Sequence, residues 1–218
     1  MKNNKRILVI SDSLALPRSK PEETLYEETY PYLLRRDFEV LQISFGGGTI
    51  KEIVHQAHYY VSFNPDIVVL QSGIVDCAFR AFPVSIDKGS IYSKTINLYK
   101  RIVAHIISPR SLRRYLRIRY TKPTDFLTSL NELTEMFDGS VVIGVGIVPA
   151  SKEYETIIPG IADSISEYNS MIESVVGTNN FISLYDMSKE GIMSDFHHIN
   201  SIGHKYIYNR ILEVIKSH

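Results

Sequence analysis

The chain has 218 residues, enough for one well-buried α/β domain and slightly long for a single domain of average size. Its 24 basic and 24 acidic residues cancel, which excludes the strongly basic footprint of a nucleic-acid-binding protein, and no nucleic-acid motif occurs. No stretch approaches the ~18 consecutive apolar residues that span a bilayer, and the single cysteine, Cys77, excludes an intrachain disulfide. One cysteine fits a reducing compartment, and the apolar run Ile7–Ile10 is too short for the core of a signal peptide. The expectation is a cytoplasmic protein.

In chain order, five short runs rich in β-branched residues predict strands: Ile7–Ile10, Phe38–Ile43, Asp66–Leu70, Val141–Val148 and Phe181–Leu184. They are near-continuous rather than alternating, the pattern of a parallel sheet covered on both faces. Between them, Ser19-Lys-Pro-Glu22 has the spacing of a capping box, and Pro31 should kink or interrupt the segment after it. Thr49–Val61 carries a helical stripe at Ile50, Ile53, Val54, Ala57 and Val61. Pro159–Val176 repeats it with Ile161, Ile165, Tyr168, Met171, Ile172 and Val175. Asn200 can cap a last helix whose apolar side holds Ile202, Tyr206, Ile207, Ile211, Leu212 and Ile215. Strand–helix alternation predicts a three-layer α/β/α sandwich around a mainly parallel five-stranded sheet, in one domain spanning 1–218.

A basic insert at about 91–124 interrupts the alternation. It holds nine Lys and Arg residues, Arg110, Arg113, Arg114, Arg117 and Arg119 among them, and no acid. Leu112, Tyr115, Leu116 and Ile118 lie between them. Three readings stay open: a helical cover with solvated arginines, a wall attracting an anionic substrate, and a basic amphipathic patch in peripheral contact with membrane lipid.

Four segments carry candidate chemistry. Val9-Ile-Ser-Asp-Ser-Leu14 ends the first strand and leaves the Ser13 hydroxyl on a turn, where a helix cap is the alternative. Ser44-Phe-Gly-Gly-Gly-Thr49 precedes a helix, and its backbone N–H groups suit an oxyanion or a plain tight turn. It lacks the Lys of a phosphate-binding loop and the spacing of a dinucleotide fingerprint. Gln71-Ser-Gly-Ile-Val-Asp-Cys-Ala-Phe-Arg80 follows the third strand. In Ser194-Asp-Phe-His-His-Ile-Asn200, the spacing lets Asp195 orient one ring nitrogen of His198 while the other faces outward as a base. Asp195, His197, His198 and His204 also cluster, but no second ligand group of matching type occurs elsewhere, so no metal is expected, and no cofactor.

Together and in this order, the segments resemble the SGNH/GDSL hydrolase superfamily. Its opening Gly-Asp-Ser-Leu reads Ser11-Asp12-Ser13-Leu14 here, and its second-block glycine is matched best by Gly47. Its Gly-x-Asn-Asp reads Gly73-Ile-Val-Asp76, and its Asp-x-x-His reads Asp195-Phe-His-His198. The resemblance implies a flavodoxin-like sheet with Ser13 as nucleophile, His198 as base, Asp195 holding its ring, and the N–H groups of Ser13 and Gly47 as oxyanion donors. Asp12, Asp76 and Arg80 are further candidates for binding substrate. Two positions depart from the family: Ser11 stands in place of its opening glycine, and Val75 stands where an asparagine side chain donates to the oxyanion, with Arg80, Gln71 and Ser72 as the nearby donors. The block Gly73–Cys77 also resembles a branch found near surface-polysaccharide biosynthesis enzymes. The implied activity is that of a serine esterase or acyltransferase acting on an acylated, in particular acetylated, carbohydrate or glycan precursor, which could be anionic. The alternative is a catalytically degenerate protein of the same fold that binds a glycan or a partner protein.

Overall fold

The computed structural model describes residues 5–82, 103 and 107–218. Five strands, β1 (Arg6–Ser11), β2 (Glu39–Ser44), β3 (Ile67–Gln71), β4 (Val141–Val145) and β5 (Phe181–Ile182), form one parallel sheet in the order β2-β1-β3-β4-β5. The period of two explains why the runs carry apolar residues at both parities. In β1, Leu8 and Ile10 enter one buried cluster while Ile7 and Val9 enter the other.

The described α-helices are α1 (Tyr30–Leu34), α2 (Ile50–Ala57), α3 (Ile74–Cys77), α4 (Pro109–Leu116), α5 (Pro123–Met136), α6 (Lys152–Ile157), α7 (Ile161–Val176) and α8 (Ser201–Ser217). α2, α5 and α7 bury Ile53, Phe126 and Ile165 on one face of the sheet. α1 and α8 bury Leu34, Ile207 and Ile211 on the other. The Asn200 side chain caps α8 as expected, accepting from Ile202 N at 2.9 Å and Gly203 N at 3.4 Å. Among the described residues no helix is long and apolar enough to cross a membrane.

Several local expectations fail for identifiable reasons. The capping box at Ser19–Glu22 does not form. Arg18 and Thr24 instead exchange both backbone hydrogen bonds, at 3.0 and 2.8 Å, and close a turn. Glu22 is drawn away from Ser19 and accepts from Ser194 N at 3.1 Å. Pro31 starts α1 rather than interrupting it, in the first turn where its missing N–H costs nothing. The run to Val148 leaves the ladder after Val145 because Asn169 of α7 takes over the peptide groups of Ile147, accepting from its N–H at 2.7 Å and donating to its carbonyl at 3.2 Å. The last strand is shorter than the run Phe181–Leu184. Val61 and Ile202 are exposed rather than on the apolar sides of their helices.

Of the insert, 91–102 and 104–106, with Lys94, Lys100 and Arg101, lie outside the described residues. In the described part, a cover packed by its apolar side is not what forms. Tyr115 is 81% exposed and Leu116 52%, whereas the Arg113 side chain turns inward to the carbonyl of Ile157 at 3.1 Å. Pro123 and Thr124 belong to α5.

Candidate active site

In a sheet of this order the crevice opens outside the carboxyl ends of β1 and β3, where the winding reverses. Ser13 leaves β1 there as the first residue of a 3-10 turn (Ser13–Ala15). Asp12 caps that turn, accepting from Leu14 N at 2.9 Å. Gly47, from the loop after β2, has φ of +70°, a conformation costly for any side chain with a Cβ. Gly73, after β3, has φ of +129°, and a Cβ there would meet Ile147 at 2.7 Å. The loop after β5 brings Asp195 and His198, and its turn passes through Phe196 at a positive φ of 69°, a strained value for an aromatic residue.

Ser13 Oγ lies 3.0 Å from His198 Nε2, and His198 Nδ1 lies 2.6 Å from Asp195 Oδ2. The Asp195 carboxylate can only accept, so Nδ1 carries the proton and Nε2 is left as acceptor for the Ser13 hydroxyl. Asp195 Oδ1 also accepts from His198 N at 3.0 Å and His197 N at 3.3 Å, which fixes the loop around the ring. Burial pushes the His198 pKa down, and neighbouring His197 and Arg18 add to this against the pull of Asp195, leaving it at about 4. Burial alone would raise the Asp195 carboxyl, but hydrogen bonds from the ring and backbone of His198 outweigh it and hold it below its ordinary value. At neutral pH the pair is therefore a neutral imidazole beside a carboxylate.

Ser13, Gly47, Val75, Arg80, Asp195 and His198 all line one cleft of about 780 Å³. The N–H groups of Ser13 and Gly47 are used by no hydrogen bond among the described residues. Asp12 and Asp76 do not reach the cleft, contrary to their expected contact with substrate. Both are fully buried: Asp12 accepts from Leu14 N with one oxygen, its other oxygen being buried without a partner among the described residues, and Asp76 accepts from Ile50 N and the Thr121 hydroxyl. Burial raises the Asp12 pKa to about 7 despite its bond from Leu14. Gln71 and Ser72 are also buried behind the lining, so of the three donors near Val75 only Arg80 faces the cleft. His204 is separate from the other histidines, buried with Nδ1 accepting from Tyr30 N at 3.3 Å. Asp195, His197 and His198 do bring metal-capable atoms within 4.8 Å of one another, but both ring nitrogens of His198 are already engaged.

Sequence reasoning gave no place in the cleft to Arg18, Tyr154 or His197, the last being singled out only in a histidine cluster. Arg18 donates to the carbonyl of Ser13 at 2.9 Å. His197 stacks on Tyr154 with ring centroids 5.6 Å apart. Arg18 and Tyr154 carried no local signal, because each reaches the cleft only through the packing of its own loop or helix.

No protein-family model and no curated protein matches the chain. Solved structures do match along its length. A lipase/acylhydrolase from Enterococcus faecalis superposes with a TM-score of 0.66 at 15% identity, covering 98% of this chain and 96% of that one. A member of the lipolytic protein G-D-S-L family from Veillonella parvula gives 0.61 at 12% identity, with 97% and 98% covered. A psychrotrophic esterase from Pseudoalteromonas sp., in a structure inhibited by monoethylphosphonate, gives 0.58 at 14% identity, with 98% of each chain covered. The chain has the SGNH/GDSL hydrolase fold. Val75, 8% exposed, lines the cleft at the position where the resemblance of the sequence implies an asparagine.

Proposed function

We propose that this chain is a serine ester hydrolase or acyltransferase acting on a short acyl ester, in particular an acetyl ester, of a carbohydrate. The observation that carries the reading is the 3.0 Å contact of Ser13 Oγ with an imidazole held neutral and oriented by Asp195. Ser13 Oγ attacks the acyl carbon while His198 Nε2 takes its proton. The N–H groups of Ser13 and Gly47 hold the oxyanion. As the tetrahedral species collapses, the bond to the alcohol oxygen breaks and His198 returns the proton to that oxygen, leaving acyl-Ser13. Water, or the hydroxyl of an acceptor, then attacks with His198 again as base, and Ser13 is regenerated. Tyr120 and Tyr154 in the cleft wall support a carbohydrate as the alcohol, since sugar rings pack on aromatic faces. Cytoplasmic action is part of the reading, supported by the lone, buried Cys77.

The missing donor at Val75 favours a second reading, a cleft that binds an acylated glycan without turning it over. Losing one oxyanion donor costs about 2.7–4 kcal/mol in the transition state. Labelling with a serine-reactive fluorophosphonate separates the two. Labelling of the wild type that is lost in both Ser13→Ala and His198→Ala, with hydrolysis of acetylated sugars lost in parallel, is the expected result. A folded wild type that takes no label assigns the cleft to binding alone.

A further inference from the structure

Arginine on the wall of an apolar cleft is costly unless its charge is met. Arg18 donates to the carbonyl of Ser13 and lies in the field of Asp195 and Asp12, without an ion pair among the described residues. Arg80 and Arg113 also line the cleft, and no carboxylate among the described residues lies within ion-pair distance of either. Asp195, the only acid in the lining among the described residues, is committed to His198. Each of the two guanidiniums is steadied by a neutral carbonyl, Arg80 by Val75 O at 3.3 Å and Arg113 by Ile157 O at 3.1 Å. Arg80 is further fixed over the Tyr120 ring, 4.5 Å from its centroid. Their Nε atoms are buried with no hydrogen-bond partner among the described residues. A guanidinium has five N–H donors, so each fork is held in place with most of its donors unspent among the described residues. They arrive from unrelated parts of the chain, Arg80 after α3 and Arg113 from α4, and meet around one volume that also contains Ser13.

Resting on the reading of Ser13 as nucleophile, we propose that the substrate of this cleft carries a phosphate group, bound by Arg80 and Arg113 while Ser13 attacks the acyl carbon. A phosphate monoester bears about −1.5 to −2 charges at neutral pH, enough to meet two guanidiniums, where a single carboxylate meets one. An acetyl group has no place for it, so the phosphate belongs to the sugar. The class of substrate is thus an acetylated sugar phosphate, in which the arginines set the position of the ester relative to Ser13.

The test is calorimetric titration of the full-length Ser13→Ala protein, which binds without turnover, with glucose 6-phosphate, glucuronate and glucose. Glucose 6-phosphate is expected to bind at least about 10-fold more tightly than the other two, and more weakly at high salt. Arg80→Gln and Arg113→Gln should each weaken it by about 10- to 100-fold. Arg113→Lys should recover only part of the loss, because the planar fork is gone. If Arg80→Gln does not fold, the two variants at Arg113 on α4 carry the test. Glucuronate or glucose binding as tightly as glucose 6-phosphate overturns the proposal, and so does binding unchanged by the Arg113 variants. Fluorophosphonate labelling of the wild type without sugar-phosphate binding defeats this inference alone; sugar-phosphate binding without labelling defeats the esterase reading, and with it the attack by Ser13, while the phosphate site at Arg80 and Arg113 stands.

Discussion

Asp76 accepts the backbone N–H of Ile50 with both carboxylate oxygens, at 3.2 and 3.1 Å, across 26 residues of sequence. It also accepts from the hydroxyl of Thr121, which lies just before α5. One fully buried carboxylate therefore ties α3 to the start of α2, and through it to the loop that presents Gly47. It is a positioning residue, not a ligand for substrate.

Asp76→Ala should accordingly destabilise the fold as well as slow the reaction. It leaves the Ile50 N–H and the Thr121 hydroxyl buried without an acceptor, a loss of about 2–4 kcal/mol in urea unfolding. Thr121→Val removes one bond and should cost less, about 1.5–3 kcal/mol.

The low pKa of His198 predicts the acid limb of activity. Only the neutral imidazole can take the Ser13 proton, and burial holds its pKa at about 4. With a soluble acetyl ester, kcat/KM should rise as pH rises through about 4 and be level by pH 6. A midpoint near the ordinary histidine value of about 6.5 would show that the ring is solvated in the working enzyme.

Val75→Asn restores a side-chain donor to the cleft. An increase in kcat of about 10- to 100-fold is expected, somewhat less than the full value of such a donor because the neighbouring wall is built for valine. Steady-state kinetics on p-nitrophenyl acetate reads it directly. A fall in kcat would mean that another group, Arg80 being the candidate beside Val75, already serves the oxyanion.

Asp12 and His204 give stability opposite dependences on pH. The Asp12 carboxyl is raised by burial from 3.8 to about 7. The folded state thus binds the extra proton between these values, and Asp12 opposes folding increasingly as pH rises from about 4 through 7. Burial lowers His204 from 6.5 to about 3, so it opposes folding increasingly as pH falls from about 6.5 through 3. Asp12→Asn should therefore gain stability over the wild type at pH 8 relative to pH 5, by a few kcal/mol at most. Urea unfolding at the two pH values checks the sign.

Most of the architecture is legible in the sequence because it is local. Each apolar run is long enough to be a strand and is apolar at both parities, so Leu8 and Ile7 already require cover on opposite faces. The errors lie where a distant partner wins. Spacing alone puts Glu22 in a cap with Ser19, but its carboxylate is taken by Ser194, 172 residues away. The strand run ending at Val148 is cut short by Asn169 of α7.

By itself the sequence determined the parallel sheet, the turn carrying Ser13, and the pairing of Asp195 with His198, whose three-residue spacing in one loop makes their contact a local matter. Only the tertiary structure decided that Ser13 and His198 meet across 185 residues, that Asp12 and Asp76 sink beneath the cleft, and that Arg113 turns into it while Tyr115 and Leu116 face water. The reason is physical. Burial and backbone hydrogen bonding follow from periodicity along the chain, whereas the direction of a charged side chain follows from which groups the fold sets around it.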